Sequence, residues 1–317
     1  MRSEVKSLPE DFLERLRKII PPAKFDAIAN SFSEPKPTTF RINPLKAESS
    51  AATKNDLEAL GFGLENVPWY SDAFLLRKGR LRELQETEIY KQGGIYIQSL
   101  SSMIPPLVLD PRPGELVLDL TAAPGSKTTQ MAGMMKSVGK IVAVDNNRIR
   151  FYRLKANLEL QGAKNVDAML SYGESIGRKF PNHFDKALLD APCSSEGRFE
   201  TNDPKSFGYW RPAKVFEMAR KQRKLILSAL AALKPGGTLV YSTCTFAPEE
   251  NEAILDWALK KSEDALEIET ISFPLLNQMR GIQKWDDDIF DSAVRNAVRI
   301  LPNAQMEGFF VAKVRKR

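Results

Sequence analysis

Cysteine and histidine are scarce in this chain, which contains two cysteines and one histidine among 317 residues. Two cysteines cannot form a disulfide framework in a protein of this size, so a reducing, cytoplasmic environment is expected. A single histidine with two cysteines also argues against a tetrahedral zinc site, and we predict no metal. The two cysteines therefore need another explanation.

Long apolar runs are absent as well, because no stretch of about 18 consecutive apolar residues occurs in the sequence. The opening segment, MRSEVKSLPEDF, lacks the apolar core of a signal peptide. The sequence predicts a soluble protein that makes no membrane contact, and a monomer is the default expectation.

Basic residues are in modest excess, giving a formal net charge of +6 and an isoelectric point of about 9.1. Taken singly, each local group of basic residues is accounted for as a solvated helix face. Together, four such groups favour a surface that follows a phosphate backbone. The groups are Arg77, Lys78, Arg80 and Arg82; Arg148, Arg150, Arg153 and Lys155; Lys214, Arg220, Lys221, Arg223 and Lys224; and Lys313, Arg315, Lys316 and Arg317.

Residues 1–93 have the pattern of a small α+β domain. Helical periodicity covers residues 10–20 and 23–32 on either side of a Pro-Pro pair, and a third helix is expected near residues 54–60. Short strands are expected at residues 38–42 and near residues 67–70. Mixed elements in so short a segment predict a compact module separate from the rest.

Residues 94–317 alternate regularly between strand and helix patterns. Apolar strands are expected at residues 115–120, 141–144, 166–170, 184–189 and 238–242, and a β-rich run at 308–314. Helices are expected at residues 127–136, 147–161 and 214–233, and from Pro248 onward. Continuous apolar strands between helices predict a parallel sheet covered on both faces, which is a doubly wound α/β fold.

Candidate functional residues follow the predicted strands. Asp119, Asp145, Asp190 and Cys244 lie at or just after strand ends, where ligands bind in such folds. The loop DLTAAPGSKT after the first strand has small residues and leads into a helix whose N-terminal amides favour an anion. Neither GxGxxG nor GxxxxGK[ST] is present, which argues against dinucleotide and P-loop sites. Asp145 has two interpretations, a ligand for ribose hydroxyls or a helix N-cap.

Three sequence blocks resemble the signatures of the RNA 5-methylcytosine methyltransferases. They are DLTAAPGSKT at 119–128, DAPCSSEG at 190–197 and YSTCTFAPEENE at 241–252, with further similarity in RIN (41–43), IYIQ (95–98) and EGFFVA (307–312). The similarity covers nearly the whole chain. It implies a class I, Rossmann-like S-adenosylmethionine methyltransferase domain after a small N-terminal domain that contacts RNA. The implied substrate is rRNA, with 16S rRNA favoured, or tRNA.

The resemblance also implies roles for individual residues. Cys244 is the nucleophile that adds to carbon 6 of cytosine, Cys193 serves product release, and Asp190 supports the base at nitrogen 3. The cofactor is held by Thr121, Ala122, Ala123, Pro124, Gly125, Ser126, Lys127, Asp145 and Asp190. Two positions depart from the family pattern: Thr121 stands where Cys or Ala is usual, and Tyr172 stands where an acid contacts the adenine, unless Asp167 or Glu174 serves instead.

Several alternatives stay open at this level. A thiol hydrolase needs a histidine base, and His183 is the one candidate. An inactive RNA-binding scaffold is a second alternative, although the intact cysteine pair, Asp190 and Lys127 argue against it. The aromatic residues Phe207, Tyr209 and Trp210 either splay the RNA or pack in the core. The thiolate has three candidate positive neighbours: Lys127, the cofactor's sulfonium, and the N-terminus of a helix at Pro248, where three glutamates oppose the effect.

Overall fold

The computed structural model describes residues 8–262, 265–275 and 277–317. Within these ranges the α-helices are α1 Glu10–Ile19, α2 Pro22–Ser31, α3 Ser50–Ala59, α4 Leu81–Glu86, α5 Glu88–Lys91, α6 Leu100–Leu109, α7 Ser126–Met134, α8 Arg148–Leu160, α9 Ile176–Lys179, α10 Pro212–Ala232 and α11 Glu252–Lys261.

The strands in the same ranges are β1 Thr39–Ile42, β2 Gly63–Asn66, β3 Ala73–Lys78, β4 Ile95–Ile97, β5 Leu116–Asp119, β6 Lys140–Asp145, β7 Val166–Leu170, β8 Phe184–Asp190, β9 Leu233–Thr243, β10 Leu266–Glu269, β11 Gln278–Arg280, β12 Lys284–Trp285, β13 Asp288–Ile289, β14 Val298–Ile300 and β15 Phe309–Lys316. In the described residues, no helix is both long enough and apolar enough to cross a bilayer.

The chain forms two compact units that are discontinuous in sequence. The sheet unit comprises Pro37–Asp190, Leu227–Val240 and Lys316–Arg317. The thiol unit, which contains both cysteines, comprises the described parts of Met1–Lys36, Ala191–Ile226 and Tyr241–Arg315. This division follows spatial contacts and does not test the domain boundary predicted at 93/94, which stays a prediction.

The sheet unit contains the parallel sheet expected from the strand–helix alternation. Its strands have the order β9-β8-β5-β6-β7. β5 pairs in parallel with both β6 and β8, and β6 pairs in parallel with β7. The apolar residues of β5, β6 and β8 are almost all buried, because helices cover a doubly wound sheet on both faces. The predicted α/β class is confirmed.

The sheet unit also contains a small antiparallel sheet of order β2-β3-β1-β4. Its core includes Phe40, Ile42 and Phe74, packed with Leu57 from α3. The strand predicted near residues 67–70 is wrong: this segment is the turn that joins β2 to β3. Pro68 lacks the N–H that a ladder needs, and the Tyr70 amide donates to the carbonyl of Val67 within the turn.

Arg41 and the following Asn43 tie the small sheet to later parts of the chain. Arg41 is fully buried, and its guanidinium donates from Nε to Gln98 Oε1 at 2.9 Å and from Nη2 to the Ser126 carbonyl at 3.0 Å and Thr129 Oγ1 at 2.6 Å. Asn43 Nδ2 donates to the carbonyls of Gly93 and Gln161. A buried charge needs such acceptors, so the RIN segment stabilises the packing of the small sheet against the later residues.

The thiol unit is held by an aromatic cluster in which Phe12 of α1 contacts Phe32, Phe199, Trp210 and Phe246. Its strands β11, β14 and β15 form antiparallel pairs, and β10 lies beside β15. The C-terminal strands therefore pair antiparallel, whereas the strands of the sheet unit from β5 to β8 pair in parallel. β14 and β15 are joined by a short loop, and without a crossover helix two successive strands can pair only in antiparallel fashion.

The helix expected from Pro248 starts later. Pro248–Glu250 form one 3₁₀ turn, and α11 begins at Glu252. Asn251 interrupts the helical path with φ −115° and ψ −97°. Its side chain is used locally, accepting from Thr243 Oγ1 at 2.6 Å and donating to the Thr245 carbonyl at 2.9 Å. A helix dipole directed from Pro248 is thus not available to activate a thiol.

Candidate active site

In the sheet unit, the loop between β5 and α7 is built from small residues in a fixed conformation. Gly125 has φ 106° and ψ 6°, and a Cβ at this position would lie 2.9 Å from Leu154 Cδ1. The left-handed backbone and the close helix both require glycine here. The loop leads directly into α7, a helix of nine residues. The backbone amides of its first turn lie next to the end of β5, where they can donate hydrogen bonds to a ligand.

Asp119, the last residue of β5, is a buried anchor of this loop. Its Oδ2 accepts from Thr128 Oγ1 in α7 at 2.6 Å. Burial raises the pKa of Asp119 to about 7, although the hydrogen bond from Thr128 and the positive charge of Lys127 oppose the rise. The carboxyl group is therefore partly protonated at neutral pH and serves to hold the start of α7.

Asp145, the last residue of β6, is also buried. Its Oδ1 accepts from the Asn147 amide at 2.9 Å, and its Oδ2 accepts from the Ala123 amide at 3.3 Å and pairs with Arg150 at 3.2 Å. The N-cap of α8 is Asn147, which accepts from the Arg150 amide, so the interpretation of Asp145 as the N-cap is wrong. A carboxylate has about four acceptor sites, which leaves capacity for a ligand hydroxyl.

Lys127 is the cationic partner of Asp190 in this unit. Lys127 Nζ lies 2.7 Å from Asp190 Oδ2 and donates to Ser102 Oγ at 2.7 Å. Thr121 Oγ1 donates to the Asp190 carbonyl at 2.8 Å. The loop thus fixes both the backbone and the side chain of Asp190, which immediately precedes the loop that carries Cys193.

Tyr172 follows β7 and has a largely exposed side chain, so its ring is accessible for stacking. Of the two alternative acids, Asp167 forms an ion pair with Lys140 at 2.6 Å on the exposed side of the sheet. Glu174 lies in the 3₁₀ turn after Tyr172. Contact of any of the three with an adenine stays a prediction.

In the thiol unit, the structure brings the two cysteines together. Cys193 Sγ and Cys244 Sγ lie 3.3 Å apart, both partly buried and without a disulfide. The hydrogen bond to Cys244, and then burial, raise the pKa of Cys193 well above its ordinary value, with further contributions from the charges of Cys244 and Glu250. The raised pKa favours the protonated form of Cys193, and in the contact between the two sulfurs either atom can be the donor.

Two buried glutamates beside the cysteines were not singled out by sequence analysis. Burial raises the pKa of Glu250 to about 8 and also raises the pKa of Glu196. Glu250 accepts from the Ser194 amide at 3.0 Å and from Gln222 Nε2 at 2.8 Å. Both glutamates belong to the two cysteine blocks, and this location is the signal that could have indicated them.

The aromatic residues after Cys193 divide into two classes. Phe207 and Trp210 are buried, and Trp210 Nε1 donates to Glu196 Oε1 at 3.0 Å, so these two are core residues. Tyr209 has half its surface exposed and lines a polar cavity of about 310 Å³. The other lining residues are Ser195, Arg198, Glu200, Asp203, Lys205, Ser206 and Glu307. Of the three aromatics, Tyr209 is the one with an exposed ring, and its stacking on a base stays a prediction.

His183 does not have the surroundings of a catalytic base. Its ring stacks on Phe180 with 5.4 Å between centroids and meets Phe184 edge to face. Among the described residues, no group of three or more His, Cys, Asp or Glu side chains could hold a metal ion. The aromatic packing of His183 accounts for it without a catalytic role.

Comparison with known proteins identifies the family to which the chain belongs. The model of the N-terminal domain of the 16S rRNA methyltransferase RsmF matches residues 8–100, and the model described as 16S rRNA methyltransferase RsmB/F matches residues 106–315. The chain is 39% identical to the tRNA (cytosine(49)-C(5))-methyltransferase of Pyrococcus abyssi, covering 99% of this chain and 98% of that protein. It is 36% identical to the ribosomal RNA small subunit methyltransferase F of Pectobacterium carotovorum, covering 98% of this chain but 63% of the relative's length.

Solved structures show the same fold. A methyltransferase homologue from Pyrococcus horikoshii aligns with a TM-score of 0.81 and 33% identity over 98% of this chain and all of that one. NSun6 from the same organism, solved with SFG, aligns with a TM-score of 0.82 and 22% identity over 98% of this chain and 99% of that one, which supports the fold alone. The family model spans most of the chain, and the chain therefore belongs to the RsmB/F family of 16S rRNA methyltransferases.

Proposed function

We propose that this chain transfers a methyl group from S-adenosylmethionine to carbon 5 of a cytosine in RNA, through a covalent adduct between Cys244 and carbon 6. The observation that carries the proposal is the pair of sulfurs 3.3 Å apart, in which the raised pKa of Cys193 favours its protonated form. Family membership supports the same reaction class.

Covalent addition solves the chemical difficulty of this substrate. Carbon 5 of cytosine is a weak nucleophile, so a direct attack on a methyl group is slow. When the Cys244 thiolate bonds to carbon 6, the electron pair of the 5,6 double bond becomes available at carbon 5, which can then form the new carbon–carbon bond. Loss of the carbon 5 proton then restores the double bond and expels the Cys244 sulfur as a thiolate.

Cys193 and Asp190 are assigned supporting roles. Cys193 Sγ lies 3.3 Å from the sulfur that must leave, and we assign it to product release. Once Cys244 is bonded to carbon 6, its sulfur no longer raises the pKa of Cys193, so Cys193 can lose its proton to water, accept the carbon 5 proton as a thiolate and let the Cys244 sulfur leave. Asp190, oriented by Lys127 and Thr121, supports the base at nitrogen 3, where added proton character stabilises the negative charge that develops on addition.

The β5–α7 loop and the ends of β6 and β8 fit S-adenosylmethionine. A ligand can approach the backbone of residues 121–126 because these residues are small, and Gly125 adopts the left-handed conformation that favours glycine. Asp145 retains acceptor capacity for ribose hydroxyls, and we assign Tyr172 to the adenine. When bound, the cofactor supplies an electrophilic methyl group on a sulfonium.

The proposed substrate is 16S rRNA, and tRNA is the second candidate. The family models name 16S rRNA methyltransferases, whereas the relative from Pyrococcus abyssi, which this chain matches over 98% of its length, is named for tRNA. Bisulfite sequencing of total RNA from cells with and without the gene distinguishes them: one protected cytosine disappears from 16S rRNA in the first case and from tRNA in the second.

The nucleophile is tested by Cys244→Ala with tritiated S-adenosylmethionine and total RNA. We expect methyl transfer to fall by about 10⁴-fold or more, because the covalent route is lost. The melting temperature of the variant checks the fold. Normal transfer by Cys244→Ala would contradict the assignment, and a wild-type protein that binds RNA but transfers no methyl group would favour the inactive scaffold.

A further inference from the structure

The two buried glutamates of the thiol unit lie in reciprocal positions. Glu196 belongs to the loop that carries Cys193, and its Oε2 accepts from the Phe246 amide at 3.1 Å in the loop that carries Cys244. Glu250 follows the Cys244 loop, and its Oε2 accepts from the Ser194 amide at 3.0 Å in the Cys193 loop. Each loop thus supplies the acceptor that holds the other.

Glu250 controls both sides of Cys193. Gln222 Nε2 donates to Glu250 Oε2 at 2.8 Å and to the Pro192 carbonyl at 2.9 Å. The peptide groups before and after Cys193 are therefore fixed by one glutamate and the glutamine bound to it. Glu250 and Gln222 are fully buried, and the Tyr241 hydroxyl donates to the Glu250 carbonyl at 2.6 Å.

Further contacts join the two loops. Ser194 Oγ and Thr245 Oγ1 share a hydrogen bond of 2.7 Å between fully buried side chains, and the Gly197 amide donates to the Cys244 carbonyl at 2.9 Å. A Cβ on Gly197 would lie 3.0 Å from that carbonyl, which shows how closely the loops approach. The residues on either side of the sulfurs are thus restrained by side chains that are buried.

We infer that Glu196 and Glu250 are positioning residues that hold the Cys193 and Cys244 sulfurs in contact. The inference rests on the proposed function for its catalytic meaning, whereas the geometry of the sulfurs can be tested without any methyl transfer. Burial of an acidic side chain is unfavourable unless hydrogen bonds compensate for it. Here those hydrogen bonds also hold the two loops in a fixed arrangement. The raised pKa of Glu250 makes the neutral acid the relevant form, which glutamine imitates in shape.

The test measures how often the two thiols meet. Diamide removes two electrons and two protons from a pair of thiols and leaves a disulfide, and because the chain contains two cysteines the intramolecular product is unambiguous. Loss of both thiols is followed with a maleimide mass tag. We expect Glu250→Ala to slow cross-linking by about 10- to 100-fold, because a displacement of about 1 Å has an effect of this size on reactions between positioned groups. Glu250→Gln should restore the rate to near the wild-type value.

The matched control is Glu252→Gln, a change in an equally buried glutamate two positions later. Glu252 pairs with the buried Arg299 and accepts from the Ile282 amide. Arg299 in turn donates from Nη1 to the Phe246 carbonyl in the Cys244 loop, a bond that glutamine at position 252 leaves in place. This variant should lower the melting temperature and leave the cross-linking rate unchanged. Wild-type cross-linking in Glu250→Ala, or equal slowing in Glu252→Gln, would overturn the inference.

Two further measurements keep the outcomes separate. Thr245→Val removes the hydroxyl that bonds Ser194 with little change in volume. It gives the same test if Glu250→Ala does not fold. This variant should slow cross-linking, and an unchanged rate would count against the inference.

Methyl transfer is assayed on the same samples. Slow cross-linking in variants of a protein that transfers no methyl group supports the positioning role and refutes the proposed function, and the opposite pattern refutes the positioning role alone.

Discussion

At the residue scale, the chemistry of the thiol pair depends on which sulfur holds the proton. A thiolate is the reactive form of cysteine, and two thiolates in contact would repel each other. The raised pKa of Cys193 resolves this conflict, because one sulfur stays neutral while the other can ionise. The pair therefore titrates as a unit, and either sulfur can be the donor in the contact between them.

Removing Cys193 should leave the addition of Cys244 to the base intact and block the release of the product. In Cys193→Ala the Cys244 thiolate can still add to the base, but release of the product loses its assisting group. We expect a stable protein–RNA adduct, seen as a slower band on a denaturing gel and abolished by RNase.

The control for this result is the double variant Cys193→Ala/Cys244→Ala, which should give no adduct. Rapid turnover without an adduct in the single variant would remove Cys193 from product release and leave its contact with Cys244 as a structural feature.

The buried Asp119 predicts a pH-dependent stability. Its pKa is near 3.8 in an unfolded chain and about 7 when folded, so between these values the folded protein binds a proton that the unfolded chain has released. The free energy of unfolding should therefore fall as pH rises through this range, by at most about 1.4 kcal/mol per pH unit from this group. Asp119→Asn lacks the ionisation, so its stability relative to wild type should increase from low pH to neutral pH.

Urea unfolding of the two proteins at several pH values checks this expectation. Taking the difference between the two proteins cancels the contributions of the other carboxyl groups, which both proteins share. Parallel stability curves for wild type and Asp119→Asn would show that Asp119 ionises at its ordinary pKa in the folded protein.

At the scale of elements, the sequence predicted the strands and helices whose residue pattern follows from a single physical cause. The strands β5, β6, β7 and β8 are short apolar runs, and their parallel direction follows from the helices that connect them. The start of α11 could not be predicted, because it depends on Asn251 bonding to Thr243 and Thr245, residues brought close by the fold. Trp210 and Tyr209 were indistinguishable for a similar reason, since aromatic residues suit both a core and a base stack.

The β5–α7 loop gives a test at this scale. Gly125→Ala imposes an unfavourable backbone conformation and brings a methyl group against Leu154, so we expect a loss of stability of about 1–2 kcal/mol together with weaker binding of S-adenosylmethionine. Thermal unfolding and isothermal titration calorimetry measure the two effects.

Gly114→Ala is the matched control, because Gly114 has a similar φ of 91° and, among the described residues, no atom beyond its chain neighbours lies within 4 Å of where the alanine methyl group would sit. It should show the backbone cost and normal cofactor affinity. Equal affinity in both variants would indicate that the loop does not contact the cofactor.

At the scale of the whole molecule, the net charge alone does not describe the basic groups, because many of their side chains form exposed ion pairs with glutamates. Arg77, Arg80 and Arg82 each pair with a glutamate on an exposed surface, and Lys214 and Lys221 both pair with Glu217. Exposed pairs are weak and are screened by salt, so a phosphate can replace the carboxylate. The net charge of +6 therefore understates what these groups can offer to RNA.

Salt dependence measures this exchange. If Arg82 contacts a phosphate, Arg82→Ala should reduce the slope of log K against log salt by about 1, because one fewer counterion is released on binding. Filter binding of RNA at several salt concentrations gives the slope. Arg112→Ala, which removes another exposed arginine outside the four groups, should leave it unchanged, and a reduced slope in this control would point to a general effect of charge.

The burial of Arg41 limits how the protein can be divided. Its three acceptors, Gln98, Ser126 and Thr129, come after residue 93 in sequence, although Arg41 itself lies well before it. An N-terminal fragment that ends at residue 93 would retain Arg41, which is buried in the intact protein, and would lose these three acceptors. Such a truncation would either stay unfolded or expose the arginine to water, so studies of RNA recognition by the small sheet are better done by substitution within the intact chain.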